Sequence, residues 1–220
     1  MKKLAILISA VLSLAACKKE NAVTYPQPED IGSPQLQSGF VDMGLSVKWA
    51  SDNLGARESC ADGSYYCWGY SDPTTSAVKE TEYKFISQYT GQYNKYTVGD
   101  ELEDADDAVI ASLGGNHRLP TYSEAKALVE NCEWKYVVCH GKTGYTATSK
   151  LNGAVIFFPC QGYYADEGLI NKDFSAHIWT REVSYEYKFL AYCVTASPLV
   201  TPCVGQMHRY LATSLRAVEY

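Results

Sequence analysis

The stretch Gly114-Gly115-Asn116-His117-Arg118-Leu119-Pro120-Thr121 constrains this chain more than any other, because it packs a turn, a stiff exit and a helix start into eight residues. The glycine pair reaches backbone conformations that other residues avoid, and Pro120 fixes its own torsion. Thr121 and Glu124, three residues apart, have the spacing of a capping box, in which each end satisfies an otherwise orphaned backbone N–H. Ala125, Leu128, Val129 and Cys132 then recur at helical spacing, so a helix with one buried stripe is expected. Arg118, Pro120, Thr121 and Glu124 are thus a structural motif. Arg118 is expected to anchor loop carbonyls or a buried carboxylate, and His117 to make structural hydrogen bonds.

Around that helix the pattern is mostly of strands. Val41, Met43, Leu45, Val47 and Trp49 alternate with Asp42, Gly44, Ser46 and Lys48, a two-residue period that predicts a half-buried strand with a break at Gly44. A loop over 51–63 precedes a short aromatic strand at Tyr65-Tyr66-Cys67-Trp68, and residues 79–100 are a long tyrosine-rich loop. Leu102, Ala105, Ala108 and Val109 predict a short helix whose acids gather at its N-terminal end. A calcium site from Asp104, Asp106 and Asp107 is the alternative, but their spacing departs from the calcium-loop pattern. Strands are expected at 134–138, 144–148 and 154–158, with Asn152-Gly153 as a hairpin turn, and again at 176–181, 188–195 and 214–218. One or two helices among many short strands indicate an α+β fold.

Residues 1–16 read as a bacterial lipoprotein signal peptide: Lys2 and Lys3 precede an apolar run that closes on Leu14-Ala15-Ala16-Cys17. Cys17 is then the lipidated N-terminus, and residues 17–39, with Pro26, Pro28 and Pro34, are expected to be a flexible tether. The remaining 40–220 are expected to form one domain. Removing the leader with Lys2 and Lys3 takes the formal charge from −6 to −8, which disfavours nucleic acid as a partner. Seven cysteines remain: Cys60, Cys67, Cys132, Cys139, Cys160, Cys193 and Cys203. Export favours disulfides such as Cys60 with Cys67 or Cys193 with Cys203, although connectivity stays open. Cys67 and Cys160, in aromatic surroundings, also read as small buried apolar residues. No Cys-x-x-Cys pair occurs, and neither a metal nor another cofactor is expected.

Several stretches together carry a resemblance. Val41-Asp42-Met43-Gly44-Leu45-Ser46-Val47-Lys48-Trp49-Ala50, Tyr66-Cys67-Trp68-Gly69, Asp106-Asp107-Ala108 with the Gly114 to Thr121 motif, the stretch 153–162, and Leu215-Arg216-Ala217-Val218 resemble, in order, the Fibrobacter succinogenes major paralogous domain and its Bacteroidetes lipoprotein relatives. Arg118-Leu119-Pro120-Thr121 with Glu124 is more distantly similar to the formylglycine-generating-enzyme superfamily. The resemblance implies a C-type-lectin-like core: small twisted antiparallel sheets flanked by one or two helices. It also implies that a ligand meets the C-terminal half, over about 162–210.

No Gly-x-Ser-x-Gly, His-Glu-x-x-His or phosphate-loop pattern is present, so no catalytic residue is assigned. Eighteen tyrosines favour binding, since a tyrosine ring offers contact area with few torsions to freeze. Arg181, Tyr185, Tyr187, His208, Arg209 and Tyr210 are the candidate ligand contacts, because they stand in irregular polar stretches of the C-terminal half. Trp179 is expected in the core. The chain therefore reads as a non-catalytic, lipid-anchored binding protein of the bacterial cell envelope, on the outer membrane, recognising a glycan or a protein. The alternatives are a retroelement-diversified lectin-like receptor, a structural envelope or fimbrial component, and a formylglycine-generating-type oxidase. The last would place copper on Cys193 and Cys203, which nine residues separate where that superfamily has a closely spaced pair.

Overall fold

The computed structural model describes residues 25–220; the leader and Cys17 lie outside the described residues. In chain order the strands and helices are β1 (Glu29–Asp30), β2 (Phe40–Val41), β3 (Lys48–Ala50), β4 (Tyr65–Cys67), α1 (Ala108–Leu113), β5 (His117–Arg118), α2 (Tyr122–Asn131), β6 (Cys132–Cys139), β7 (Lys142–Ser149) and β8 (Val155–Pro159). They continue with β9 (Tyr163–Ala165), β10 (Gly168–Ile170), β11 (Ala176–Val183), β12 (Leu190–Ser197), β13 (Val200–His208), β14 (Ala212–Ser214) and β15 (Val218–Glu219). Two short helices among small sheets make the fold α+β.

The Gly114 to Thr121 motif does more than turn. Gly114 and Gly115 hold φ of 61° and 62°, a region that costs a glycine little, and His117 and Arg118 then form β5 at the edge of the sheet β2-β3-β15-β5. In that sheet Val218 pairs with Trp49 on one side and Arg118 on the other, so the end of the chain is clasped between its beginning and its middle. The alternation expected over 41–49 is present as burial: Val41, Met43, Val47 and Trp49 are buried while Asp42, Gly44, Ser46 and Lys48 are exposed. The strand itself breaks where expected, at Gly44 (φ 72°).

The capping box closes at the start of α2, with Glu124 N donating to Thr121 Oγ1 (3.2 Å) and Thr121 N to Glu124 Oε2 (2.8 Å). Ala125 and Leu128 bury completely against Ile178, Val194 and Ala196 of β11 and β12, Val129 packs partly, and Cys132 begins β6 instead of extending the helix. Leu128→Ala would leave a cavity costing about 3 kcal/mol. The helix expected over the acidic stretch starts later, because Asp107 caps α1 by accepting from Val109 N (2.9 Å) and Ile110 N, while a 3-10 turn occupies Asp104–Asp106.

The largest sheet runs β10-β9-β14-β11-β12-β13, with β4 also paired to β14, and it separates two cores. Alternation along β11 sends Ala176 and Ile178 to the α2 side and Trp179 to the other, where the 79–100 loop covers it with Tyr83, Phe85 and Ile86. Trp179 Nε1 donates to Tyr66 O (3.0 Å) and Trp68 Nε1 to Thr180 O (2.9 Å), a reciprocal pair that pins β4 to β11. A second sheet, β1-β6-β7-β8, is built on two tight hairpins: His140-Gly141 turns β6 into β7, and Asn152-Gly153 turns β7 into β8.

Several expectations change. The part of the 17–39 segment from Glu29 onward is not free: β1 pairs with β6, Ile31 and Leu36 pack on Val137 and Phe157, and His140 N donates to Gly32 O (2.8 Å). Apolar Ile31 and Leu36 inside a proline-containing stretch are what dock it. Strand β13 was not expected, because Pro202 and Gly205 weaken the strand pattern, yet the edge position of β13 tolerates the missing N–H. The strand expected at 214–218 divides into β14 and β15, which belong to different sheets. The calcium reading fails: Asp106 is engaged by Lys84 Nζ (2.8 Å), Lys95 Nζ (2.7 Å) and Tyr96 OH (2.5 Å), and Asp107 accepts from Leu119 N (3.0 Å) as well as capping α1. All seven described cysteines, Cys60 and Cys139 included, are free thiols in the structure; Cys67 donates its thiol to Tyr210 O (3.0 Å) and Cys193 contacts Thr195 Oγ1 (3.4 Å), so neither Cys60 with Cys67 nor Cys193 with Cys203 is bonded.

Candidate ligand-binding cleft

One face of β11–β12–β13 is covered by α2. On the other face, beyond the edge of the Trp179 core, the sheet is left open as a cleft of ≈520 Å³ between β12, β13 and the 163–175 segment. Strand register explains its floor: His177 on β11 stands opposite Thr195 on β12, both on the face away from α2. Tyr163, Phe174, Met207 and His208 supply walls that are mainly apolar.

His177 is the polar centre. Its Nε2 lies 2.9 Å from Ser175 Oγ and its Nδ1 3.3 Å from Thr195 Oγ1, and the ring meets Tyr163 edge-on at 5.4 Å. Burial pushes its pKa down to about 4, so the imidazole is neutral at pH 7, one nitrogen donating and the other accepting. The Ser175–His177 pair has the spacing of a nucleophile and its base. The third position, however, is the uncharged Thr195 hydroxyl, which cannot stabilise an imidazolium as a carboxylate does. What this cluster offers a ligand is a row of hydrogen-bonding groups between aromatic walls.

Beside the cleft runs a ladder of four rings. Tyr187 and Phe189 lie 5.5 Å apart, Phe189 and His208 stack at 5.4 Å with 22° between planes, and His208 and Tyr210 follow at 5.4 Å. Cross-strand pairing of Leu190 with His208 sets this spacing, placing the residue before β12 against the end of β13. Tyr187 is half exposed, and His208 Nδ1 is buried without a hydrogen-bond partner although His208 also lines the cleft.

The six candidate contacts therefore divide. Tyr187, His208 and Tyr210 come together through Phe189. Tyr185 is exposed but belongs to a separate cluster, 5.9 Å from Tyr122 and 5.4 Å from Tyr192, above the start of α2. Arg181 and Arg209 are corrections, because both are buried and committed to the interior. Arg181 NH2 donates to Leu102 O (2.7 Å), and its Nε lies 3.3 Å from Glu101 Oε2. Arg209, fully buried, donates to Lys188 O (2.8 Å) and Lys95 O (3.1 Å) and lies 4.5 Å over the Trp68 ring, tying the 79–100 loop to the sheet.

Arg118 meets its expectation: it holds Leu119 O (2.9 Å) and both oxygens of Glu124. His117 does likewise, with Nδ1 2.9 Å from Gly114 O and its ring stacked on Phe40 at 4.6 Å. Trp179 is fully buried, as expected. His177, Thr195, Tyr163 and Phe189 carry no signal in the sequence that marks them for this site. Alternation with Ala176 and Ile178 would have placed His177 on the open face, but nothing local indicates that Thr195 lies across from it. No protein-family model matches the chain, and no curated protein or solved structure matches it.

Proposed function

We propose that this protein is a non-catalytic, lipid-anchored binding protein of the bacterial cell envelope, held to the outer membrane through Cys17, and that a glycan occupies the cleft on β11–β13. The observation carrying the reading is that His208, a member of the Tyr187-Phe189-His208-Tyr210 ladder, lines the same cleft as the His177-centred hydrogen-bonding row. Sugars present hydroxyls along their edges and C–H groups on their faces, and this arrangement offers polar groups to the first and aromatic faces to the second. A concavity of ≈520 Å³ is within the range of small-molecule sites and fits a mono- or disaccharide unit.

The C-type-lectin-like reading of the fold draws support from two short helices beside mainly antiparallel sheets, with parallel pairs only at β1–β6 and β11–β14, and from a cleft within the C-terminal half where the family resemblance places ligands. The anchor rests on the Leu14-Ala15-Ala16-Cys17 pattern. Among the described residues no helix is long and apolar enough to cross a membrane.

Two experiments test this. A glycan array probed with residues 25–220 is expected to give selective binding, and uniform silence there and on host-matrix proteins would refute the binding reading. Cys17→Ser is expected to abolish incorporation of a labelled fatty acid and to release the protein from membranes.

A further inference from the structure

We propose that Cys60 and Cys139 are joined by a structural disulfide that fastens the 51–63 loop to the end of β6. Their Sγ atoms lie 3.1 Å apart, with Cys60 1% and Cys139 0% exposed. Among the described residues no other cysteine competes for either. Cys67 is committed to Tyr210 O and Cys193 to Thr195, Cys203 stands opposite Thr195 on β13, and Cys132 and Cys160 are buried in the core beneath α2. An odd count of seven thus resolves into one bonded pair and five thiols.

A metal is the competing reading, because His140 places a ring nitrogen within 4.8 Å of both sulfurs. The number of ligands decides between the two: a structural zinc site is closed by four protein ligands, and this group, among the described residues, has three. Two thiolates on a tetrahedral metal with bonds of ~2.3 Å sit ~3.8 Å apart, whereas a disulfide needs ~2.0 Å. At 3.1 Å the sulfurs stand between the two separations, and about 1 Å of side-chain rotation completes the bond.

The surroundings suit a permanent cross-link. Cys60 is held at φ 64°, a conformation unfavourable for a residue with a side chain, and its N donates to Asp52 Oδ1 (3.1 Å). Ile31 and Leu36 of the docked N-terminal segment pack on the cluster of Cys60, Val137, Cys139 and Phe157, so the bond once made is covered. The chemistry is an exchange: the two thiols lose two protons and two electrons to the disulfide of an exported thiol oxidant, which leaves as a dithiol. Both sulfurs are buried in the folded state, so the bond forms while the 51–63 loop is still open. This inference rests on the export reading above, since cytosolic thiols stay reduced.

The test uses the full chain, produced with its own leader in a bacterial host and extracted under N-ethylmaleimide, then digested without reductant and analysed by mass spectrometry. The expected result is one linked peptide pair joining Cys60 to Cys139, with Cys67, Cys132, Cys160, Cys193 and Cys203 alkylated. Alkylation of Cys60 and Cys139 in a chain whose Cys17 carries lipid overturns the proposal. So does a different linkage, or stoichiometric zinc with both thiols protected and no linked peptide. If Cys17 proves unprocessed, the export reading fails separately. The same chain refolded in a glutathione redox buffer then decides: a Cys60–Cys139 link supports the proposal, and any other outcome overturns it. In the oxidised protein, reductant should lower Tm by about 10 °C, and the Cys60→Ala/Cys139→Ala double variant should not respond to reductant.

Discussion

Arg118 and Glu124 meet fork to fork: NH1 of the guanidinium donates to Oε2 and NH2 to Oε1, each at 2.7 Å. The same carboxylate accepts from Thr121 N, so a single side chain caps α2 and fixes β5 against it. Burial alone would raise the Glu124 pKa, but Arg118 and Thr121 outweigh it and hold the carboxyl below its ordinary value.

Arg118→Ala should therefore destabilise the fold by about 3 kcal/mol, because it leaves a mostly buried carboxylate without its partner. Arg118→Lys should recover less than half of that, since an ammonium cannot engage both oxygens. The sign with pH follows from the depressed carboxylate: the pair's contribution is present above the unfolded carboxyl pKa and is lost as pH falls through the lower folded value. Denaturant melts of wild type and variant at several acidic pH values should converge as the pH drops.

Arg209→Ala is expected to cost about 4 kcal/mol, because it strips three backbone carbonyls of a buried donor and removes a cation from over Trp68. Ligand affinity, measured on the fraction that remains folded, should be unchanged. A variant that melts normally but no longer binds would show that Arg209 contacts ligand after all.

His177 makes the protein sensitive to acid. Its folded pKa of about 4 lies below the unfolded 6.5, so the unfolded chain binds more protons between those values and stability falls as pH drops through that window. The loss attributable to this group is about 3 kcal/mol. His177→Gln should lack it, so the stability difference between wild type and variant, followed from pH 7 to pH 4, should change in the variant's favour.

Glu182 acts in the opposite direction. Buried beneath the start of α2 and accepting from Tyr122 N at 2.7 and 2.8 Å, it has a pKa raised to about 7, chiefly by burial. A raised carboxyl favours the folded state when protonated, so its contribution is present below the unfolded pKa of 4.5 and is lost as pH rises through 7. Glu182→Gln should be stabilised relative to wild type by about 3 kcal/mol at pH 8, with little difference at pH 4. Equal differences at both values would contradict a neutral buried Glu182.

Local features were the most legible in the sequence. The Thr121–Glu124 box, the Asn152-Gly153 turn and the alternation from Val41 to Trp49 each depend on neighbours a few residues apart, and each is in place. The cleft is another matter. His177 and Thr195 meet only because β11 and β12 pair in one register, and Phe189 reaches His208 only because β13 forms despite Pro202 and Gly205. Arg181 and Arg209 depart from expectation for a related reason: a charged residue in a polar stretch reads as exposed, and nothing local shows the distant carbonyls that the fold brings to each, Leu102 O to Arg181 and Lys188 O and Lys95 O to Arg209. Docking of the chain from Glu29 is likewise a long-range pairing with β6.

The most direct measurement is affinity for the strongest array glycan in His208→Ala and Tyr187→Ala, each first shown by thermal melting to be folded as wild type. Each substitution removes one ring of the ladder and should weaken binding about tenfold, near 1.4 kcal/mol, while Tyr185→Ala, in the separate cluster, should bind as wild type. Unchanged affinity in both ladder variants, or an equal loss in Tyr185→Ala, would contradict a ligand site on the β11–β13 cleft.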